Sequence, residues 1–169
     1  MLLDIRDIVT YPYVIDEIMP GKDFDLLEFH AEAVDDVMFS ASLNRFQGSS
    51  LLDFSLKTLL RAPCVRCLEP VDIPVAKRDR AYLFLQNDAA DHHELSEQEL
   101  DYYFLSTGCL DITAFALEQL IISLPEKVLC REDCRGLCPH CGINRNHSTC
   151  DCDKQVIDAR WEALSKIKL

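Results

Sequence analysis

The chain has 169 residues, 49% apolar and 8% aromatic, and a formal net charge of −12. That composition fits a folded protein with one domain's worth of core and excludes an intrinsically disordered chain. No run of 18 apolar residues occurs, which excludes a membrane-spanning helix, and the acid excess disfavours general nucleic-acid binding, because phosphate contact needs Lys and Arg.

The opening stretch MLLDIRDIVTYPY has acids where a signal peptide needs basic residues, so a cytoplasmic location without membrane association is expected. Residues 1–60 carry 11 acids against 4 basic residues. Residues 34–46 alternate, with Val37, Phe39, Ala41 and Leu43 on one face. Gly48-Ser49-Ser50 reads as a turn. In LLDFSLKTLLR, residues 51–61, Leu52, Phe54, Leu56 and Thr58 alternate in turn, which predicts an antiparallel hairpin.

Pro63 and Pro70 bracket a tight Cys64–Cys67 turn, and residues 71–85 read as the returning strand. Cys64 and Cys67 therefore belong at the tip of a second hairpin, with Pro74 pushing the return toward a sheet edge. Arg61, Arg66, Lys77, Arg78 and Arg80 make residues 61–86 a locally basic stretch, the candidate for phosphate contact. Residues 86–101 are polar and acidic and read as a loop in which His92 and His93 are solvated; residues 87–126 contain nine acids and no Lys or Arg. A surface this acidic suits a basic protein partner.

YYFLSTG reads as a short strand. A helix is predicted over 111–124, capped by Asp111, striped by Ile112, Phe115, Ala116, Leu120 and Leu124, and stopped by Pro125. It should pack across the sheet. Residues 158–168 read as a terminal helix with Asp158 as cap and Trp161, Leu164 and Ile167 as docking residues. The expected fold class is α+β: an antiparallel β-sheet or partial barrel packed by a helix, with a small cysteine-rich, zinc-binding C-terminal lobe and a terminal helix. The division falls between a β-rich domain, 1–125, and a lobe, 126–169.

Six of the nine cysteines fall within residues 130–152. Disulfides are rare in a reducing cytosol, the count is odd, and the thiols come in close pairs, so metal is preferred over disulfides. Cys138-x-x-Cys141 followed by Gly142 forms a knuckle that aims two thiolates at one centre, and Cys150 and Cys152 supply the other two ligands of a four-thiolate zinc site. Cys64, Cys67, Cys130 and Cys134 could form a second site joining the hairpin tip to the lobe. Other readings stand beside these: Cys64–Cys67 as a redox pair, His147 replacing a cysteine in the first site, His140 exposed, and Cys109 as a small buried hydrophobe.

CVRCLEPV at 64–71, SLPEKVLC at 123–130, CRGLCPHCGINRN at 134–146, CDC at 150–152 and IDARWEALSKI at 157–167 together resemble the YceD family, the large ribosomal RNA subunit accumulation proteins. The resemblance covers 64–169; Ala159 stands where proline is common. It implies a role in accumulating large-subunit ribosomal RNA, through processing or ribosome assembly, in bacteria and plastids. It carries no established enzymatic activity. Some members lack most of the C-terminal cysteines, which fits a structural role for the metal.

The expected function is thus a non-enzymatic ribosome-biogenesis factor with structural zinc. Its acidic surface would meet a basic ribosomal protein, or the 61–86 hairpin with Arg131, Arg135 and Arg145 would touch large-subunit ribosomal RNA precursor. The alternatives are a metal- or thiol-dependent enzyme, a nuclease or reductase acting on RNA or protein thiols, and a zinc store or sensor.

Overall fold

The computed structural model describes residues 1–46, 49–85 and 102–152. The acidic stretch 86–101, with His92 and His93, and the terminal helix expected at 158–168 lie outside the described residues, as does Gly48 of the expected turn.

Along the chain run β1 (Leu2–Asp4), β2 (Tyr13–Met19), β3 (Glu32–Ala33), β4 (Val37–Phe46), β5 (Ser49–Pro63), β6 (Pro70–Leu85), β7 (Tyr102–Leu105), β8 (Cys109–Asp111) and α1 (Ile112–Ser123). The main sheet has the order β2-β4-β5-β6-β7, with β3 also on β5; β1 pairs β8 in a separate ribbon. The elements before residue 34 carry no strong period in the sequence, and none was expected there.

The hairpin strands form where alternation places them. Val37, Phe39, Ala41 and Leu43 of β4 are buried, and so are Leu52, Phe54, Leu56 and Thr58 of β5. Register sets Phe39 opposite Leu56 and Leu43 opposite Leu52, so one face of the sheet is continuously apolar. β5 and β6 pair from Ser50↔Leu83 down to Pro63↔Pro70, which carries Cys64–Glu69 to the tip of a long hairpin.

Two features differ from expectation. The sheet is open: β2 and β7 are its edges, and among the described residues it does not close into a barrel. Its apolar face is filled by α1 and by N-terminal side chains such as Ile5, Phe24 and Leu26, so it has no need to curl on itself. The sheet is also not wholly antiparallel, because β7 lies parallel to β6. A parallel return needs a connection of about a dozen residues or more, and residues 86–101 exceed that length. Before β7 begins, β6 has no second strand partner over 70–81 among the described residues. That edge carries Pro70, Pro74 and the run Lys77-Arg78-Asp79-Arg80, which discourage pairing with another chain.

The helix begins where its cap predicts. The Asp111 carboxylate accepts hydrogen bonds from the Thr113 and Ala114 amides at 2.9 and 3.3 Å. Ile112, Phe115, Ala116 and Leu120 are buried, and Leu124 is half-buried. The Phe115 ring meets Phe54, Tyr103 and Phe39 edge-on at centroid distances of 5.0, 5.5 and 6.2 Å, a favoured aromatic geometry. Lys77 Nζ donates to Gln119 Oε1 at 2.8 Å and ties α1 to β6.

Tyr103 lies under this helix and donates its hydroxyl to Glu118 at 3.2 Å. Burial, and then the Glu118 carboxylate, push its phenol up to about 12. Both favour the neutral form. Its contribution to stability is complete below the ordinary tyrosine value of about 10 and is lost as pH rises through about 12. In an absorbance titration of the five tyrosines, one phenol is expected to ionise last, and Tyr103→Phe should remove that final phase. A titration unchanged by the substitution would contradict the contact.

Candidate metal centres

Two CxxC turns are built on the same backbone pattern. In the first, the Leu68 amide donates to the Cys64 carbonyl at 2.9 Å and the Cys64 amide to the Glu69 carbonyl at 2.8 Å. In the second, the Gly142 amide donates to the Cys138 carbonyl at 2.9 Å and the Cys138 amide to the Ile143 carbonyl at 2.8 Å. The residue after each second cysteine is left-handed, Leu68 at φ 63° and Gly142 at φ 74°. Glycine takes that conformation without strain, whereas a leucine there is disfavoured. Each turn therefore holds two sulfurs on one side and turns amides toward them.

The structure brings the paired thiols together in two sets of four. Cys64, Cys67, Cys130 and Cys134 form a hairpin centre, and Cys138, Cys141, Cys150 and Cys152 form a C-terminal centre. Within each set the sulfurs lie within 4.8 Å of one another. In the hairpin centre Cys64 and Cys134 are 3.8 Å apart, and Cys67 and Cys130 are 3.6 Å apart. A tetrahedron with zinc–sulfur bonds of about 2.3 Å has edges of about 3.8 Å. No cysteine of the chain is in a disulfide. The donor set of four soft sulfurs at that spacing fits zinc, and no histidine belongs to either set.

The electrostatics point the same way. Burial pushes the Cys64 thiol up, but the Cys130, Arg66 and Cys67 amides outweigh it and hold it at about 6. The Cys141 and His140 amides hold Cys138 at about 6. The Glu69 amide favours a Cys67 thiolate, yet burial and the three neighbouring sulfurs push that thiol up to about 12. The Cys141 sulfur does the same to Cys152, also to about 12. The hairpin centre thus favours thiolates at Cys64 and, through the Asn146 amide, at Cys134, and the C-terminal centre favours one at Cys138, while Cys67 and Cys130, and Cys150 and Cys152, resist ionising. A bound cation removes that resistance, because it is the opposite charge at the point where the sulfurs converge.

Cys64, Cys67 and Cys134 are buried with Val71 and Leu129 in a small apolar cluster separate from the main core. The hairpin centre is also fastened by backbone. The Val65 amide donates to the Val128 carbonyl at 2.9 Å, and the Leu137 amide to the Arg66 carbonyl at 2.9 Å. Gly136 passes so close that a Cβ there would lie 2.8 Å from the Arg66 carbonyl oxygen, and its φ is 70°.

The basic residues singled out in the sequence take different places. Arg66 donates to the Glu132 and Cys134 carbonyls at 3.1 and 2.9 Å and so braces the hairpin centre. Arg61 pairs Asp72, Arg80 pairs Asp53, and Lys77 pairs Asp79. Arg78 is exposed and, with Arg80, borders an open concavity on the sheet face opposite α1, beside Ser40, Ser42 and Ser55. Arg131 pairs Asp133 and also donates to Asn146 at 2.8 Å. Arg135 and Arg145 line a hollow against Cys150 with Ser148 and Thr149.

A ring of polar side chains around the hairpin centre was not anticipated. Glu69 accepts from Asn144 at 3.1 Å, lies 2.7 Å from His147 Nε2, and accepts from the Cys67 sulfur at 3.6 Å. Asn146 donates to the Cys134 sulfur at 3.3 Å while its oxygen accepts from the Arg135 amide at 2.8 Å. His147, a candidate ligand for the C-terminal centre, is thus engaged by Glu69 of the hairpin tip; His140 is exposed as expected. Cys109, expected to be buried, is half-buried in β8. The sequence signal was present in Asn144 and Asn146, spaced by two between the two halves of the C-terminal centre. It reads equally well as turn composition, and spacing alone does not show that the turn folds back onto the hairpin tip, 75 residues from Asn144.

A family model described as "Large ribosomal RNA subunit accumulation protein YceD" matches residues 52–168, which include all eight clustered cysteines. An uncharacterized protein of Mycobacterium tuberculosis is 33% identical over 103 residues, 60% of this chain and 47% of that protein. A large ribosomal RNA subunit accumulation protein YCED homolog of the Zea mays chloroplast is 24% identical over 157 residues, 78% of this chain and 52% of that protein. The chain spans about half the length of the curated relatives it matches. No solved structure matches it.

Proposed function

The chain belongs to the YceD family, and from that premise we propose that it is a non-enzymatic factor for large-subunit ribosomal RNA accumulation, shaped by two structural zinc ions. The observation that carries this reading is the family match spanning two closed sets of four thiols. A catalytic zinc keeps a coordination position open for water, whereas a four-thiolate site is closed and contributes folding energy. Zinc at the hairpin centre would join residues 64–67 to 130–134 and fix the C-terminal lobe, 126–169, on the β-rich domain, 1–125. The partner is a basic ribosomal protein, the large-subunit ribosomal RNA precursor, or both, and the place of action is the cytoplasm. No helix among the described residues is long and apolar enough to cross a membrane.

Deleting the protein from growing cells is expected to lower mature large-subunit ribosomal RNA and to raise its precursor relative to the small-subunit species. A ratio identical to that of the parent would count against the proposal. Retained accumulation on complementation by an all-serine variant of the C-terminal centre would instead show that this centre is dispensable for the role and leave the hairpin centre to carry it.

A further inference from the structure

One group of side chains is used neither by the core nor by the metal centres. On the sheet face opposite α1, Tyr82 of β6 stands in register with Tyr102 of β7, and Phe84 with Phe104. Their neighbours in sequence, Leu83 and Leu105, are buried on the other face, where Tyr103 meets Phe115. Phe46, at the end of β4, joins the outer row. Centroid distances are 5.7 Å for Phe46–Tyr82, 5.8 Å for Tyr82–Tyr102, 4.3 Å for Phe84–Tyr102 and 6.2 Å for Phe84–Phe104. Phe46 and Phe104 are 42% and 44% exposed.

Cross-strand ring pairs steady a sheet, but that role does not call for five rings on a face over which no apolar layer lies among the described residues. Such a row recognises either stacked bases or cationic side chains, since a ring face attracts both. Charge decides between them. Stacked nucleic acid needs several cations for its phosphates, yet farther along this face Arg61 and Arg80 are already paired with Asp72 and Asp53 at 2.7 and 2.9 Å, which leaves Arg78 as the exposed arginine beside them. The sequence joining the two ring-bearing strands, 86–101, contains six carboxylates and no Lys or Arg, in a chain of net charge −12. Phosphates are repelled by that balance and guanidinium groups are drawn to it.

We infer that this aromatic row is a docking surface for an arginine-rich protein segment, whose guanidinium groups lie on the rings. The inference narrows the proposed function by choosing a basic protein over RNA as the occupant of this face.

The test uses the zinc-loaded full chain and two fluorescent probes, an arginine-rich peptide of about 15 residues and a single-stranded RNA of about 12 nucleotides, read by anisotropy at near-physiological salt. The peptide is expected to bind, with affinity about tenfold lower for Phe104→Leu and retained by Phe104→Tyr, because leucine keeps the apolar volume without the ring face. Equal zinc content and melting temperature show that both variants are folded. Peptide affinity indifferent to Phe104→Leu overturns the inference, and so does RNA binding that depends on the same ring. These outcomes concern only the surface. The proposed function fails separately, if deletion leaves the ribosomal RNA ratio unchanged.

Discussion

Substituting Cys134→Ser is expected to lower the zinc content of the purified chain from two ions to one and to release residues 126–137 from the hairpin tip. Cys134 is buried, and its sulfur lies 3.8 Å from that of Cys64. Serine offers a hard, weakly acidic oxygen in place of a thiolate, so the four-sulfur set is broken. Structural zinc in small thiolate sites contributes about 10–16 kcal/mol of apparent binding energy at neutral pH, and that energy is folding energy for the segments it joins. Among the described residues the apolar cluster at the centre has only Val71 and Leu129 beside the three buried cysteines, too little to replace it. Hydrogen exchange should therefore lose protection at 64–69 and 126–137, while the ring cluster of Phe115, Phe54 and Phe39 keeps its own. Elemental analysis and exchange mass spectrometry check both parts. Two zinc ions in the variant, or a parent chain free of zinc with its thiols joined to each other, would defeat the assignment.

The β4–β5–β6 core of the sheet and the helix were legible in the sequence because each has one buried face and a clear period. Val37 to Leu43 and Leu52 to Thr58 alternate in two, and Asp111 announces a helix whose apolar stripe begins at Ile112. The N-terminal strands were not legible. In β2 only Ile15 and Met19 are buried, and β3 has no fully buried residue and is placed by its pairing with β5. The parallel placement of β7 depends on where a sixteen-residue connection returns, which local pattern does not specify. The knuckle Cys138–Gly142 was legible because a left-handed residue after the second cysteine asks for glycine. Its twin at Cys64–Leu68 was legible only from the cysteine spacing, since Leu68 takes the same conformation without the glycine that signals it. That the two distant pairs meet in one centre is a consequence of the hairpin's length, a tertiary property.

Asn146→Ala is expected to weaken zinc at the hairpin centre about 10–100-fold, the usual effect of removing a hydrogen bond outside a ligand set, and to leave the C-terminal centre nearly unchanged. Asn146 lies in the loop between Cys141 and Cys150, so by sequence it belongs to the C-terminal centre. Its contacts belong to the other: its amide donates to the Cys134 sulfur at 3.3 Å, and its oxygen accepts from the Arg135 amide and the Arg131 guanidinium, both at 2.8 Å. Asn144 and His147 in the same loop reach Glu69 at the hairpin tip. The loop that closes one centre thus carries the outer hydrogen bonds of its neighbour. Asn146→Asp separates the two halves of this role, because a carboxylate still accepts from Arg131 and Arg135 but sets negative charge against a thiolate. It should weaken the hairpin centre at least as much as alanine does. Stepwise competition with a chromophoric zinc chelator distinguishes the sites. Loss at both centres in equal measure would place the effect in the loop's fold, and loss at neither would show that the bond to Cys134 does not support the metal.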